Sequence, residues 1–229
     1  MNDMIFNLDR YAEKAREAAA EGIVMLKNDN SLLPLAQGTK VAVFGRTQFH
    51  YYKSGTGSGG MVNTRYVTGI LDALIKENCF IVNEKVKAVY QDWLEEHPFE
   101  IGDGWAKEPW FQEEMPLNSQ LVEEAEKESE AAIIIIGRTA GEDQDNKTEA
   151  GSYFLTETEY DMLDKVCQVF ERTIVLLNVG NIIDMKWVQE LNPSSVLYVW
   201  QGGQEGGSGV IDVISGKVTP SGKLTDTIA

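Results

Sequence analysis

The stretch Ala131-Ala132-Ile133-Ile134-Ile135-Ile136-Gly137 decides the fold class, because it is an uninterrupted apolar run of strand length. A strand that is apolar on both faces is typical of a parallel sheet covered by helices, whereas a half-exposed strand would alternate polar and apolar residues. Three further segments have the same character and end in glycine: residues 41–45, 173–180 and 194–202. We therefore expect a sheet buried between layers of helices.

Helical patterns separate these apolar runs. The best marked covers residues 156–170, where Thr156 and Glu159 form a capping box. Its spacing predicts a buried stripe made of Tyr160, Leu163, Val166 and Phe170. Further helices are predicted over residues 8–27, 64–77, 84–96, 119–130 and 182–191. In the first of these the predicted apolar face consists of Tyr11, Ala15, Ala18, Gly22 and Leu26.

This alternation predicts an α/β fold, a three-layer α/β/α sandwich with a mostly parallel, roughly six-stranded sheet. We expect residues 1–229 to form one domain with a helical lead-in over residues 1–36. Residues 97–117, with three prolines and two glycines, predict a long irregular excursion, and long loops are often functional. The carboxyl-terminal residues 221–228 predict a turn that enters a strand. Ligand-binding loops should gather at the carboxyl ends of the parallel strands.

Composition and charge exclude several classes of protein. A hydrophobic share of 43% with 24% charged residues is that of a folded protein. The formal charge of −16 repels phosphate backbones and anionic headgroups, so we expect neither a nucleic-acid nor a membrane partner. Cys79 and Cys167 are expected to be buried free thiols, and Met1–Arg10 lacks the pattern of a secretory signal, which fits a cytoplasmic location. Two histidines and no Cys pair at ligand spacing predict neither a metal site nor a cofactor.

A glycine-rich loop follows the first strand. Gly55, Gly57 and Gly60 satisfy the dinucleotide pattern G-x-G-x-x-G, but they stand too far beyond the strand for pyrophosphate to meet a helix amino terminus. A flexible turn that needs positive φ is one alternative. We favour a loop whose backbone approaches a neutral ligand closely.

An acidic loop follows the strand at residues 131–137. Glu142, Asp143 and Asp145 stand there at the carboxyl end of a strand, where catalytic groups are common, although a solvated acidic loop is the more frequent fate of such a run. A calcium-binding hand is excluded, because its sixth-position glycine and terminal glutamate are missing.

Two late segments carry a resemblance to a known family. Trp200-Gln201-Gly202-Gly203-Gln204-Glu205-Gly206-Gly207 and Pro220-Ser221-Gly222-Lys223-Leu224 closely resemble the W-x-P-G-Q-E-G-G and P-S-G-K-L signatures of the carboxyl-terminal (α/β)6 sandwich domain of glycoside hydrolase family 3, with Gly202 in place of the usual proline. Residues 20–28 and 33–35 are similar to the family's entry to this domain, the loop at 55–59 to its glycine-serine loop, and Gly141-Glu142 to its S-G-E-G segment. The best-known members are β-glucosidases.

The resemblance implies retaining hydrolysis of β-glucosides by two carboxyl groups. In this family the nucleophile is an Asp of a TIM-barrel domain, and this chain has neither the S-D-W-type motif nor a barrel's length. Glu142 matches the position from which many members supply the general acid/base, with Asp143 and Asp145 as alternatives because Asp143 replaces a glycine of the motif. The expected partners are the protein's own barrel domain and a β-glucoside or oligosaccharide.

The resemblance also points to residues that bind substrate. Those in or beside the glycine loop are Lys53, Gly57, Ser58 and Gly59. Trp105 and Trp110 of the excursion could stack on a sugar, and a packed loop explains them equally well. A homo-oligomer is one option that the sequence leaves open.

Some bacterial members place the sandwich before the barrel, which suits a chain beginning at Met1, and an engineered start codon is equally compatible. Two rival functions remain at this point. The same fold could serve a non-catalytic carbohydrate-binding or interaction domain, because a fold does not fix a function. A nucleotide-binding α/β module is the other.

Overall fold

The computed structural model describes residues 7–227, so the expectations for residues 1–6 and 228–229 lie outside it. The strands are β1 (Val24–Asn28), β2 (Lys40–Phe44), β3 (Ile81–Val82), β4 (Ala131–Arg138), β5 (Thr173–Val179) and β6 (Ser195–Tyr198). They form one sheet in the order β1-β6-β5-β4-β2-β3. The pairs from β6 to β3 are parallel and β1 is antiparallel to β6, so the predicted mostly parallel, six-stranded sheet is confirmed.

Helices cover both faces of the sheet, which confirms the three-layer sandwich. Their bounds are α1 (Leu8–Gly22), α2 (Ile70–Glu77), α3 (Glu84–Glu96), α4 (Ser119–Glu128), α5 (Glu157–Val169), α6 (Lys186–Leu191) and α7 (Gly206–Ile214). On one face α1 and α2 pack against α7, and on the other α3 to α6 contact one another in succession. Irregular segments connect these elements and include residues 97–117.

Strand β4 is the centre of the core. Ala132, Ile134 and Ile136 point into the apolar cluster under α3 to α6, and their neighbours Ile133 and Ile135 point into the cluster under α1, α2 and α7. All eight residues of the strand are buried. Because each fully buried aliphatic side chain stabilises the fold by about 1.5–3 kcal/mol, the apolar run that predicts this strand also provides much of the stability of both faces.

The first predicted helix ends five residues early. Residues 8–27 are not one helix, because α1 stops at Gly22 and residues 24–28 pair with β6 as the antiparallel edge strand β1. The backbone hydrogen bonds of the sheet edge override a helical periodicity that continues through Leu26. The predicted apolar face is also wrong at Tyr11, which is 57% exposed, and at Ala18 and Gly22, which are exposed as well, while Ala20 is fully buried.

Two other helices begin later than predicted. In the segment predicted as 64–77, residues before Ile70 are held by the loop after β6, since Thr68 N–H donates to Gln204 and Tyr66 donates to Glu205. In the segment predicted as 182–191, the helix starts at Lys186. Tyr160, predicted to be buried, is 38% exposed, and Met162 of the same helix is buried. Residues 221–227 contain no strand.

Cys79 and Cys167 are both free, as predicted, but they are half-buried rather than buried. Among residues 7–227, no helix is both long and apolar enough to cross a bilayer.

The irregular excursion is fastened to the turn after β2. The buried Glu114 carboxylate accepts hydrogen bonds from the backbone N–H of Arg46 at 2.9 Å and of Met115 at 2.8 Å. The Arg46 guanidinium donates to the carbonyl oxygens of Glu113 and His97, at the two ends of the excursion. These contacts fix where the excursion leaves and rejoins the domain.

Glu114 makes the stability of the domain depend on pH. Burial raises the pKa of Glu114 to about 7, although the two N–H donors favour its ionised form. The folded state therefore keeps a proton that the unfolded chain loses near the ordinary carboxyl pKa of about 4.3, so this contribution to stability falls as pH rises between the two values. We expect Glu114→Gln to remove this dependence. Between pH 4 and pH 7 the free energy of unfolding of the wild type should therefore fall, relative to that of the variant, by up to about 3 kcal/mol. Urea titrations across this range measure the difference, and the exposed neighbour Glu113→Gln is the control. Parallel pH profiles for wild type and Glu114→Gln would contradict the expectation.

Candidate active site

Two of the predicted loops meet because their strands are neighbours. The glycine loop, residues 55–60, follows β2, and the acidic turn, residues 141–144, follows β4, which pairs with β2. Both loops therefore emerge at the carboxyl edge of the sheet. Thr56 N–H donates to the Ala140 carbonyl at 3.2 Å, and Thr56 also forms a bridge with Gly141. The backbones of the two loops are thus joined at their bases.

The acidic turn is a tight reversal that exposes its carboxylates. Gly141 and Gln144 exchange backbone hydrogen bonds of 3.2 and 3.1 Å, which leaves Glu142 and Asp143 at the tip. Asp143 has a φ of +60°, a conformation that Asp tolerates better than most residues. Glu142, Asp143 and Asp145 are all exposed. The turn and Asp145 directly after it therefore expose three carboxylates at the edge of the sheet.

Glu142 differs from the other two acids because it contacts the glycine loop. Its Oε2 atom accepts hydrogen bonds from the backbone N–H of Ser58 at 2.8 Å and from the Ser58 hydroxyl at 2.6 Å. These two donors hold the pKa of Glu142 below its ordinary value, since they favour the ionised form. Of the three predicted candidates, the structure brings Glu142 together with Gly57 and Ser58.

Gly57 lets the two loops approach this closely. Its φ is +75°, and a Cβ added there would lie 2.4 Å from the Cβ of Glu142. No side chain fits at that distance. At Gly59, by contrast, an added Cβ would meet no described atom within 4 Å.

The excursion supplies the other wall of a cleft beside the glycine loop. The cleft has a volume of about 210 Å³ and is lined by Thr56, Gly57 and Met61 on one side and by Ile101 and Trp105 on the other. Trp105 is 48% exposed and available to stack on a sugar face.

The remaining predicted residues lie apart from this cleft. Trp110 is half-buried, its carbonyl accepts a hydrogen bond from Thr139 N–H, and its ring faces the Lys147 ammonium at 5.1 Å. Lys53 donates to the Val62 carbonyl at 2.9 Å and so joins the two ends of the segment that holds the glycine loop.

Asn178 and Tyr51 fix the base of the glycine loop, and sequence reasoning missed both. The buried Asn178 amide, at the end of β5, exchanges two hydrogen bonds of 2.9 Å with the backbone of Tyr52 and donates to the Trp200 carbonyl at 2.7 Å. The Tyr51 hydroxyl accepts from Gly202 N–H at 2.8 Å. An added Cβ at Gly206 would lie 1.8 Å from that hydroxyl oxygen, which gives one glycine of the W-x-x-G-Q-E-G-G segment a physical reason.

A buried ion pair supports the strand end below the acidic turn. Arg138, the last residue of β4, donates two hydrogen bonds of 2.5 Å to the Glu159 carboxylate on α5. The side chains are 0% and 4% exposed. Arg138 also donates to the carbonyl oxygens of Gly137 and Phe154. In the sequence, Arg138 is recognisable as a charged residue directly after the apolar run at residues 131–137.

The geometry does not favour a dinucleotide site. The helix after the glycine pattern, α2, begins only at Ile70, so its amino terminus does not follow Gly60 directly. Within residues 7–227 no three His, Cys, Asp or Glu side chains converge in a way that could hold a metal ion.

Fold and loops together define a class: an α/β sandwich domain with a carboxylate and a glycine-rich loop side by side at the carboxyl edge of its sheet. Residues 23–229 match the Glycosyl hydrolase family 3 C-terminal domain, and the chain belongs to this family.

Similar proteins include a beta-glucosidase of Ruminococcus albus, 55% identical over 221 residues that cover 96% of this chain and 23% of that protein. A solved structure of a beta-glucosidase from Paenibacillus barengoltzii superposes with a TM-score of 0.93 at 51% identity, over 98% of this chain and 25% of that one. Beta-glucosidase 3B from Thermotoga neapolitana, solved in complex with glucose, gives a TM-score of 0.84 at 33% identity, over 95% of this chain and 31% of that one. The chain thus spans between 23% and 31% of the length of these relatives.

Proposed function

We propose that this chain is the sandwich domain of a retaining β-glucosidase and that Glu142 is its general acid/base. The observation that carries the proposal is the position of the Glu142 carboxylate, exposed at the sheet edge and held against the glycine loop. The family and the beta-glucosidases similar to this chain support the reaction class.

The proposed mechanism needs a second carboxylate from outside this chain. In retaining hydrolysis one carboxylate attacks the anomeric carbon, and the other protonates the leaving oxygen and then removes a proton from water. We assign the second role to Glu142 and the first to an Asp of a barrel domain elsewhere in the full-length protein. Docking of that domain would bring the two carboxyl groups to roughly 5–5.5 Å, the separation of retaining enzymes.

Docking would also supply the protonation state that the first step requires. In the domain by itself Glu142 is exposed, and the Ser58 donors lower its pKa, which favours the base form. A partner domain that removes water and places a negative carboxylate nearby raises a carboxyl pKa. The acid form needed for leaving-group protonation would therefore arise only in the assembled site.

The stereochemistry of the product tests the proposal. We expect the full-length protein to release β-glucose first from an aryl β-glucoside, as proton NMR of the anomeric signal would record in the first minutes. We expect neither this chain nor a separately produced barrel domain to hydrolyse the substrate, and the mixture of both to do so. Release of α-glucose first would exclude a retaining mechanism, and full activity of the barrel by itself would exclude a shared site.

A further inference from the structure

The contact between Ser58 and Glu142 has a consequence for how the site works, and the inference rests on the proposed function. We propose that Ser58 is a positioning residue, which holds the Glu142 carboxylate in one orientation and stabilises its base form through a backbone and a side-chain hydrogen bond. Both bonds end on the same oxygen, Oε2, at 2.8 and 2.6 Å. Oε1 takes part in neither bond and is the oxygen left for the sugar or water.

The arrangement is specific because an exposed glutamate would otherwise sample many rotamers. Fixing such a side chain costs conformational entropy, which two charge-assisted hydrogen bonds can offset. Gly57 makes the geometry possible, since any larger residue would push the Glu142 Cβ away. Ser58 therefore provides the donors, and Gly57 provides the space for them.

The two steps of the proposed reaction use this contact differently. In the second step Glu142 must be an ionised base, and the Ser58 donors stabilise that form. In the first step it must be protonated, and the same donors oppose that form. The contact therefore sets the pH above which the first step fails, and loss of the hydroxyl should move that limit upward.

The other charged residues of the neighbouring segments are the same in every variant tested. Asp143 and Asp145 lie on or directly after its own turn, Lys53 lies just before the glycine loop, and Lys107 and Glu108 line the cleft beside that loop. Because substitutions at Ser58 leave these groups in place, a change in the titration of Glu142 between variants reports the lost hydroxyl.

The first experiment titrates this chain by itself. Carbon-13 NMR of labelled glutamate side chains follows Glu142, whose carboxyl signal is identified by its absence in Glu142→Gln. We expect Ser58→Ala to raise the pKa of Glu142 and Ser58→Thr, which keeps the hydroxyl, to leave it near the wild-type value. An unchanged titration in Ser58→Ala would overturn the inference, and this readout does not depend on activity.

The second experiment measures kcat/KM of the full-length protein against pH. We expect the basic limb of the Ser58→Ala profile to move to higher pH and that of Ser58→Thr to stay in place. A rise in KM with an unmoved basic limb would show that Ser58 only contacts the substrate, and would overturn the inference. If Glu142→Gln also keeps full activity, the proposed function fails as well, so the two failures are distinguishable.

A pair of glycine substitutions checks the spatial part of the argument. We expect Gly57→Ala to lower kcat/KM by at least about tenfold, since a displacement of about 1 Å at a catalytic group can cost a hundredfold. Gly22→Ala, at the end of α1 where an added Cβ also meets no described atom within 4 Å, should keep kcat/KM within about twofold of the wild type. Equal effects of the two substitutions would contradict the role of Gly57. Thermal unfolding of both variants separates loss of positioning from loss of folding.

Discussion

Replacement of Glu142 by alanine is expected to lower kcat/KM of the full-length protein by about 10²–10⁴-fold on a glucosyl disaccharide, the range that general acid catalysis contributes. The reason is that an alkoxide leaves slowly unless it receives a proton. On a dinitrophenyl β-glucoside, whose leaving group departs without protonation, the first step should remain nearly unaffected. Release of the sugar then becomes slow because no base activates water, so kcat and KM should fall together on this substrate.

Two matched sets of variants make this prediction specific. Asp143→Asn and Asp145→Asn alter the other acids of the loop without changing their shape, and Glu149→Ala removes an exposed acid further along the same segment. We expect each of these to retain activity within a few-fold on both substrates. A large loss on the disaccharide alone in Asp143→Asn or Asp145→Asn would transfer the acid/base role to that residue.

Arg138→Met is expected to destabilise the domain by about 3–5 kcal/mol, because it leaves the Glu159 carboxylate buried without its partner. The side chains of the pair are nearly inaccessible, so water cannot replace the lost hydrogen bonds. Chemical denaturation of wild type and variant gives the free energy of unfolding. Lys14→Met, which breaks an exposed pair with Glu17 on α1, should change it by less than about 1 kcal/mol.

The double variant Arg138→Met with Glu159→Met completes a thermodynamic cycle. We expect it to be more stable than Arg138→Met, since two apolar side chains leave no unpaired buried charge. A double variant as unstable as the sum of the single ones would show that the pair does not act as a unit. Such additivity would assign the loss to packing.

The centre of the sheet could be predicted from the sequence and its edges could not. The run at residues 131–137 determines β4, since only a strand buried on both faces needs so many consecutive apolar residues. Among the helices, the predicted residues 84–96 coincide with α3. Strand β3 has two residues, too few for any periodicity. Strand β1 continues the apolar spacing of α1, so only its pairing with β6 distinguishes it from helix.

The candidate site, like the sheet, could be predicted from the sequence only in part. Loops that follow parallel strands meet at one edge of the sheet, and this could be predicted. The strand order, which places β2 beside β4, could not, because local sequence patterns do not contain it. The hydroxyl of Ser58 and the carboxylate of Glu142 are far apart in sequence, so their hydrogen bond depends on the completed fold. Asn178 at the end of an apolar strand is a signal that sequence reasoning can use, because a buried amide needs several backbone partners.

The amide of Asn178 has a further consequence for the motion of the glycine loop. It fixes the backbone at Tyr52, while Ser58 and Gly59 remain exposed. In hydrogen–deuterium exchange the Tyr52 amide should exchange about as slowly as the central strands, and the Gly59 amide should exchange within seconds. A loop that is fixed at its base and mobile at its exposed end can change in length or sequence there during evolution without weakening the domain that supports it.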